Sequence, residues 1–194
     1  MSDKCSTCSM NGSCDSGECP PRLPPGMLSE YDLNRSVADG IAVWLEVSQE
    51  NIQRTSLEAV SKARELRLGR VFGILFGDGE KRSLYGEAFE HGVDSLYHIR
   101  SPKLNEFDAD AYGNSIKKVA DNTFCALLFI PHTDSGTLLS EVLSKKFGMA
   151  ITSFGMEHDD GPFPKMMFVE QGEFKAISEK GRKGTVFNII PEQI

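Results

Sequence analysis

Four of the chain's five cysteines, Cys5, Cys8, Cys14 and Cys19, fall within its first nineteen residues. Two thiols separated by two residues can grip one centre, because the turn between them brings both sulfurs to the same side. The wider gaps contain Gly12 and Gly17, which let the backbone wrap around such a centre. Four thiolates suit a [4Fe–4S] cluster or a tetrahedral zinc ion, and the spacing leaves both open. The opening residues Met1-Ser2-Asp3-Lys4 lack the apolar core of a signal peptide, so the chain reads as cytoplasmic. Thiols there stay reduced, and a dense cluster points to a metal site before a disulfide framework. Cys125 is different: it lies in the apolar run Thr123–Ile130 and reads as a small core hydrophobe.

Other residues offer weaker chemistry. The turn Thr133-Asp134-Ser135-Gly136-Thr137 follows an apolar run and opens a helical pattern, so Thr133, Ser135, Gly136 and Thr137 could cradle a phosphate or carboxylate. The same turn is also a plain helix cap. Gly73 and Phe76-Gly77-Asp78-Gly79 form a second loop of this kind. His132, Asp134 and Ser135 are too close in sequence to spread into a nucleophilic triad. His158-Asp159-Asp160 reads as a solvated loop before a metal site, and Glu106, Asp108 and Asp110 as a helix-capping run.

Bulk composition narrows the function classes. The net charge of -7 argues against nucleic acid, and the short basic stretch Lys180–Lys183 reads as a solvated turn. No apolar run approaches the ~20 residues that span a bilayer, so no membrane insertion is expected. With 194 residues, 40% of them hydrophobic, the chain can bury one ordinary core.

The elements that would position these groups follow from periodicity. Residues 1–26 form a Cys- and Pro-rich tail ending in Pro20-Pro21-Arg22-Leu23-Pro24-Pro25-Gly26, an extended spacer. Residues 27–39 are a linker or arm. From Gly40 to residue 194, short apolar runs alternate with amphipathic segments. Strands are predicted at Ile41–Val47, Arg70–Phe76, Ser95–Ile99, Thr123–Ile130 and Gly148–Ser153. Helices are predicted at Ser56–Leu68, Lys81–His91, Asp108–Asp121 and Ser135–Phe147. This alternation is that of an α/β fold, a mainly parallel sheet with helices on both faces. After residue 153, Lys165–Val169, Glu173–Ile177 and Thr185–Ile190 read as strands with no helix between them. An antiparallel C-terminal annex is therefore expected.

Two resemblances sharpen the reading. Cys5-Ser6-Thr7-Cys8-Ser9-Met10-Asn11-Gly12-Ser13-Cys14 resembles the N-terminal cluster motif of cytosolic iron–sulfur scaffold P-loop ATPases; no Walker A sequence follows, so it favours iron–sulfur over zinc without implying an ATPase. The remainder, Ile41 to Ile190, resembles the N-terminal domain of the electron transfer flavoprotein α subunit. Carrying that resemblance are Ile41–Glu46 with Ser56–Leu66, Glu90–Tyr97 with Tyr112–Ala120, and Pro131–Gly136 with Leu143, Phe147-Gly148 and Ile151-Thr152. Gln171–Ala176 and Ile189-Ile190-Pro191 resemble the last strands before the family's hinge.

Departures matter as well. The resemblance places the start of the family's C-terminal FAD-binding domain at Ile194, where this sequence ends. Val142 stands where the family carries an Arg, and Met167–Phe174 keeps only Gly172 of its Arg-Pro-x-Tyr-x-Gly-Asn-Ala segment. The resemblance thus implies an electron-transfer subunit more than a stand-alone enzyme. FAD or AMP would be held only with a partner, an electron transfer flavoprotein β-like or other redox subunit. The alternative is a nucleotide-binding or regulatory α/β protein with a zinc-binding or redox-sensing tail.

Overall fold

Alternate side chains of the first strand are buried on opposite sides, and the architecture follows from that. In the computed structural model, which describes residues 40–152 and 164–191, Ile41, Val43 and Leu45 enter one apolar cluster and Ala42 and Trp44 another. A strand with both faces buried needs a covering layer on each side.

Strand β1 (Ile41–Trp44) pairs in parallel with β4 (Val71–Phe76) on one side and β6 (Leu127–Pro131) on the other. Beyond them lie β5 (Ser95–Ile99) and β7 (Lys165–Val169), and β8 (Thr185–Ile189) closes the far edge. The sheet order is β7-β6-β1-β4-β5-β8, with every pairing parallel. A two-stranded hairpin, β2 (Val47–Ser48) and β3 (Asn51–Ile52), leaves the end of β1. Its turn residues Gln49 and Glu50 both have positive φ, as a tight two-residue hairpin requires.

Helices α1 (Arg54–Leu66) and α2 (Arg82–His91) cover one face through Leu57, Val60, Ala63, Leu84, Ala88 and Phe89. The opposite face takes α3 (Ala109–Thr123) and α4 (Asp134–Phe147), through Ile116, Val119, Ala120, Leu139 and Leu143. Asp108 caps α3 by accepting from the Ala111 amide at 2.9 Å, as the acidic run predicts. Where the two helices meet, a Cβ on Gly113 would come within 2.9 Å of Val142 Cγ1. Val142, the position where the resemblance implies an Arg, therefore packs helix against helix. Cys125 is buried, and burial pushes its thiol up to about 11, so it stays protonated as a core residue.

The expected α/β class, with helices on both faces, is found. Its C-terminal annex is not antiparallel. Strands β7 and β8 lie at opposite edges, each parallel to its neighbour, so no hairpin joins them. The chain must cross about 24 Å of sheet between them, at about 4.8 Å per strand. It does so by lying along α1 and α2. The buried carboxylate of Glu58, paired with Arg54, accepts from the Gly172 amide at 2.7 Å, and Ser61 Oγ accepts from the Ile177 amide at 2.9 Å. Further on, the Glu179 amide donates to the Glu90 carbonyl at 2.7 Å, and Arg182 pairs with Asp94. Residues 173–177 form no strand, contrary to expectation: the Glu173 amide turns back to Glu170 O, and the Ile177 amide bonds Ser61 of α1.

Two other boundaries shift. Helix α3 runs on to Thr123 and ends at Phe124, which has φ 51, so the strand predicted from Thr123 begins at Leu127. The strand predicted from Gly148 to Ser153 is a single bridge, Ile151 to Met166, with Ser153 outside the described residues. The bonds from Met166 N to Ala150 O and from Thr152 N to Met166 O are the pairing made there.

Gly184 shows how tightly β8 is seated. A Cβ there would lie 2.5 Å from the Phe89 ring and 2.7 Å from the Asp94 carbonyl oxygen. Gly184→Ala should cost about 1–3 kcal/mol, the usual range for overpacking, read as a lower midpoint in chemical denaturation.

Candidate functional site

In an open parallel sheet, a crevice forms at the carboxyl ends of the strands where successive crossovers leave in opposite directions. Here that point lies between β1 and β6, since the chain builds toward β4 and β5 and then returns to the other side of β1. The residues at the crevice come from four places: the end of β1, the β4–α2 loop, the β5–α3 connection with the start of α3, and the β6–α4 turn.

Glu46 follows β1, and the chain locks its backbone. Its amide donates to Ser56 Oγ at 3.0 Å, and its carbonyl accepts from the Gln53 amide at 2.8 Å. The preceding amide, of Leu45, is bonded to Ile74 O at 2.9 Å. From this anchor the half-buried side chain reaches across the switch point to the turn before α4. Thr133 Oγ1 donates to Glu46 Oε2 at 2.9 Å, and Ser135 also hydrogen-bonds the carboxylate. Burial raises the Glu46 carboxyl above its ordinary range, with the Thr133 and Ser135 bonds pulling the other way.

Thr133 is the N-cap of α4. Its Oγ1 accepts from the Gly136 amide at 3.0 Å, and its carbonyl accepts from the Thr137 amide at 2.8 Å and the Thr137 hydroxyl at 3.0 Å. Thr133, Ser135, Gly136 and Thr137 are thus brought together as the sequence predicts, as one turn of self-bonded chain. The glycine has a local cause: a Cβ at Gly136 would sit 1.9 Å from the Pro131 carbonyl oxygen. Only a residue without a side chain fits so sharp a return from strand to helix.

The floor of the crevice is aromatic. Phe76 stacks on Tyr112 with centroids 3.8 Å apart, Trp44 stacks on Phe107 at 5.9 Å, and Phe107 meets Tyr112 edge-on at 5.2 Å. Tyr112 donates its hydroxyl to Leu104 O at 2.8 Å, and burial pushes that phenol up to about 12. Together with Glu46, Lys81, Asn105 and Ser135, these rings line a crevice of about 220 Å³.

The Gly77-Asp78-Gly79 loop forms the β4 side of this crevice, held by a buried histidine. His98 Nε2 lies 3.1 Å from the Gly77 carbonyl, which can only accept, so that nitrogen carries the proton. Nδ1 then accepts from the Tyr85 hydroxyl at 2.7 Å. On the far side of the loop the Asp78 amide donates to Asn105 Oδ1 at 2.7 Å. Burial lowers His98 to about 4, and the imidazole is neutral.

Outside the crevice, the other described candidates are occupied by neighbouring groups. His132 pairs with Glu170 while Ser135 faces Glu46, so no triad assembles. A larger cavity of about 630 Å³ opens at the amino edge among Arg64, His91, Glu179 and Arg182. Two of its three arginines, Arg64 and Arg182, are engaged with Asp94; the third is Arg67. Among the described residues, no three or more His, Cys, Asp or Glu side chains are grouped to hold a metal ion. Cys5, Cys8, Cys14, Cys19 and the stretch 158–160 lie outside the described residues. No helix among the described residues is long and apolar enough to cross a membrane.

The electron transfer flavoprotein domain model matches residues 41–160, the stretch that builds β1 through α4. The chain belongs to the electron transfer flavoprotein domain family. Lactate dehydrogenase (NAD(+),ferredoxin) subunit LctC of Acetobacterium woodii is 23% identical over 145 residues, covering 70% of this chain and 34% of that protein. The electron transfer flavoprotein subunit alpha of Bacillus subtilis is 25% identical over 114 residues, covering 58% of this chain and 35% of that protein. This chain spans about a third of the length of these curated relatives.

Membership in a flavoprotein family raises the question of a nucleotide at the switch point of this domain. A carboxylate of this chain, that of Glu46, already stands at that turn. Two of the first amides of α4 are bonded within the turn, and its hydroxyls Thr133 and Ser135 face a carboxylate. What sequence reasoning missed is Glu46. Its signal was a lone acid at the end of an apolar strand, which fits a buried strand poorly.

Two measurements test this geometry. Gly136→Ala forces a Cβ onto backbone and should lower stability by about 2 kcal/mol or more in denaturant titrations. His98 gives a pH signature. The unfolded imidazole protonates near pH ~6.5 and the folded one only near 4, so the unfolded chain binds more protons between them. Stability should fall by about 1.4 kcal/mol per pH unit as pH drops through that window. His98→Gln, less stable overall, should lack this slope.

Proposed function

We propose that this protein is an electron-transfer subunit of the cytoplasm, built from a cluster-bearing tail and a docking domain. Cys5, Cys8, Cys14 and Cys19 would hold an iron–sulfur cluster, of the [4Fe–4S] type. The domain from Gly40 onward would dock against an electron transfer flavoprotein β-like or other redox subunit that holds most of a flavin. FAD or AMP would be bound only together with that partner.

The observation that carries this reading is the pairing of two features in one chain: a family match over residues 41–160 and a four-cysteine tail beside it. Four thiolates are the donor set of such clusters. A cluster held there supplies one-electron chemistry, which a flavin can convert to two-electron steps. The name of one relative, which pairs NAD(+) with ferredoxin, is consistent with single-electron traffic in this family. The charge pattern at the β6–α4 turn supports a flavin whose phosphates lie on another chain. The prolines between Cys19 and the domain have the composition of a spacer.

Anaerobic purification with iron, sulfide, zinc and flavin analysis tests the proposal. The expected result is brown protein with about four iron and four sulfide per chain and no bound flavin. Cys8→Ser should remove the colour and leave the domain's thermal transition in place. Colourless protein with stoichiometric zinc would sink the electron-transfer reading and favour a zinc-binding or regulatory protein.

A further inference from the structure

The carboxyl end of β1 and the N-terminus of α4 meet where open α/β sheets commonly receive the phosphate of a ligand. In this chain a side chain of its own stands there. Glu46 is held by backbone bonds to Ser56 and Gln53, so its carboxylate is delivered to the turn and not left free to swing away. Thr133 donates to it at 2.9 Å and Ser135 also bonds it. These are the hydroxyls a phosphate would use. The glycine in the turn is no sign of a ligand, because Pro131 O alone demands it. Lys81, the cation lining this crevice, sits on the β4 side beside Gly77, where it packs on the loop.

We propose that Glu46 is the specificity-determining residue that closes this switch point to phosphate-bearing ligands, acting as a built-in anion in the position of a ligand's phosphate. Two negative charges a few ångströms apart in a half-buried crevice repel strongly, since solvent screens them poorly. With the carboxylate in place, the Thr133 hydroxyl and the Gly136 and Thr137 amides all have partners within the chain. This deepens the reading in which flavin and nucleotide phosphates are held by a partner, by naming the residue that keeps them off this domain.

The test uses the full chain as wild type, Glu46→Gln and Glu46→Ala, titrated calorimetrically with AMP and with inorganic phosphate at pH 7.5 and low salt. Thermal melts establish that each variant is folded. Wild type should bind neither probe at millimolar concentration. Both variants should bind AMP at least about tenfold more tightly than wild type, the scale of one removed like charge. Glu46→Gln keeps the shape of the side chain and an acceptor for Thr133, so it stays informative if the alanine variant is too unstable. Wild type binding AMP as well as the variants would overturn the proposal, as would no gain in either variant. A gain in Glu46→Ala alone would also overturn it, because bulk and not charge would then be the barrier. Iron and sulfide in the same preparations report on the electron-transfer reading separately, so the two can fail independently.

Discussion

The parallel pairing of β1 with two neighbours is the constraint on which the rest of the molecule depends. Its backbone hydrogen bonds are taken by β4 and β6, and both of its faces are buried. Parallel neighbours cannot be joined by tight turns, so each connection must cross a face of the sheet. The first crossovers place α1 and α2 on one side, and the return to β6 places α3 and α4 on the other. A reversal of strand order at β1 is the topological consequence, and the crevice at its carboxyl end is the geometric one.

That crevice shows how a shared scaffold is adapted by a few side chains. The turn into α4 has the composition of an anion cradle: threonine, serine, glycine, threonine. Part of that donor set is nevertheless spent locally: the Gly136 and Thr137 amides go to Thr133, and the Thr133 hydroxyl goes to Glu46. Around them, His98 and Asn105 hold the β4 loop, and stacked rings fill the floor. Several polar groups in this region are tied to distant parts of the chain.

The crossing from β7 to β8 follows the same logic of satisfied polar groups. A segment that must pass over two helices cannot pair as a strand, and its amides need other acceptors. Glu58 and Ser61 supply them from α1, and Glu90 from α2. These polar side chains, at intermediate or buried positions on otherwise amphipathic helices, have no purpose that a helical pattern alone would reveal.

Much was nonetheless legible in the chain itself. Apolar runs flanked by amphipathic segments identify β1, β4, β5 and β6 and all four helices, because burial on two faces leaves a strong local signature in each. The Asp108 cap, the core role of Cys125 and the turn at Thr133–Thr137 are likewise local, and so is the four-cysteine spacing. What only the tertiary structure decided depends on residues distant in sequence. The direction and position of β7 and β8 are set by partners that periodicity does not encode, and Glu173–Ile177 loses its strand to contacts with α1. Whether the α4 turn faces an open crevice or a carboxylate rests on Glu46 and Thr133, which no local window contains together. Sequence spacing names the groups that can do chemistry; the fold decides which of them already have a partner.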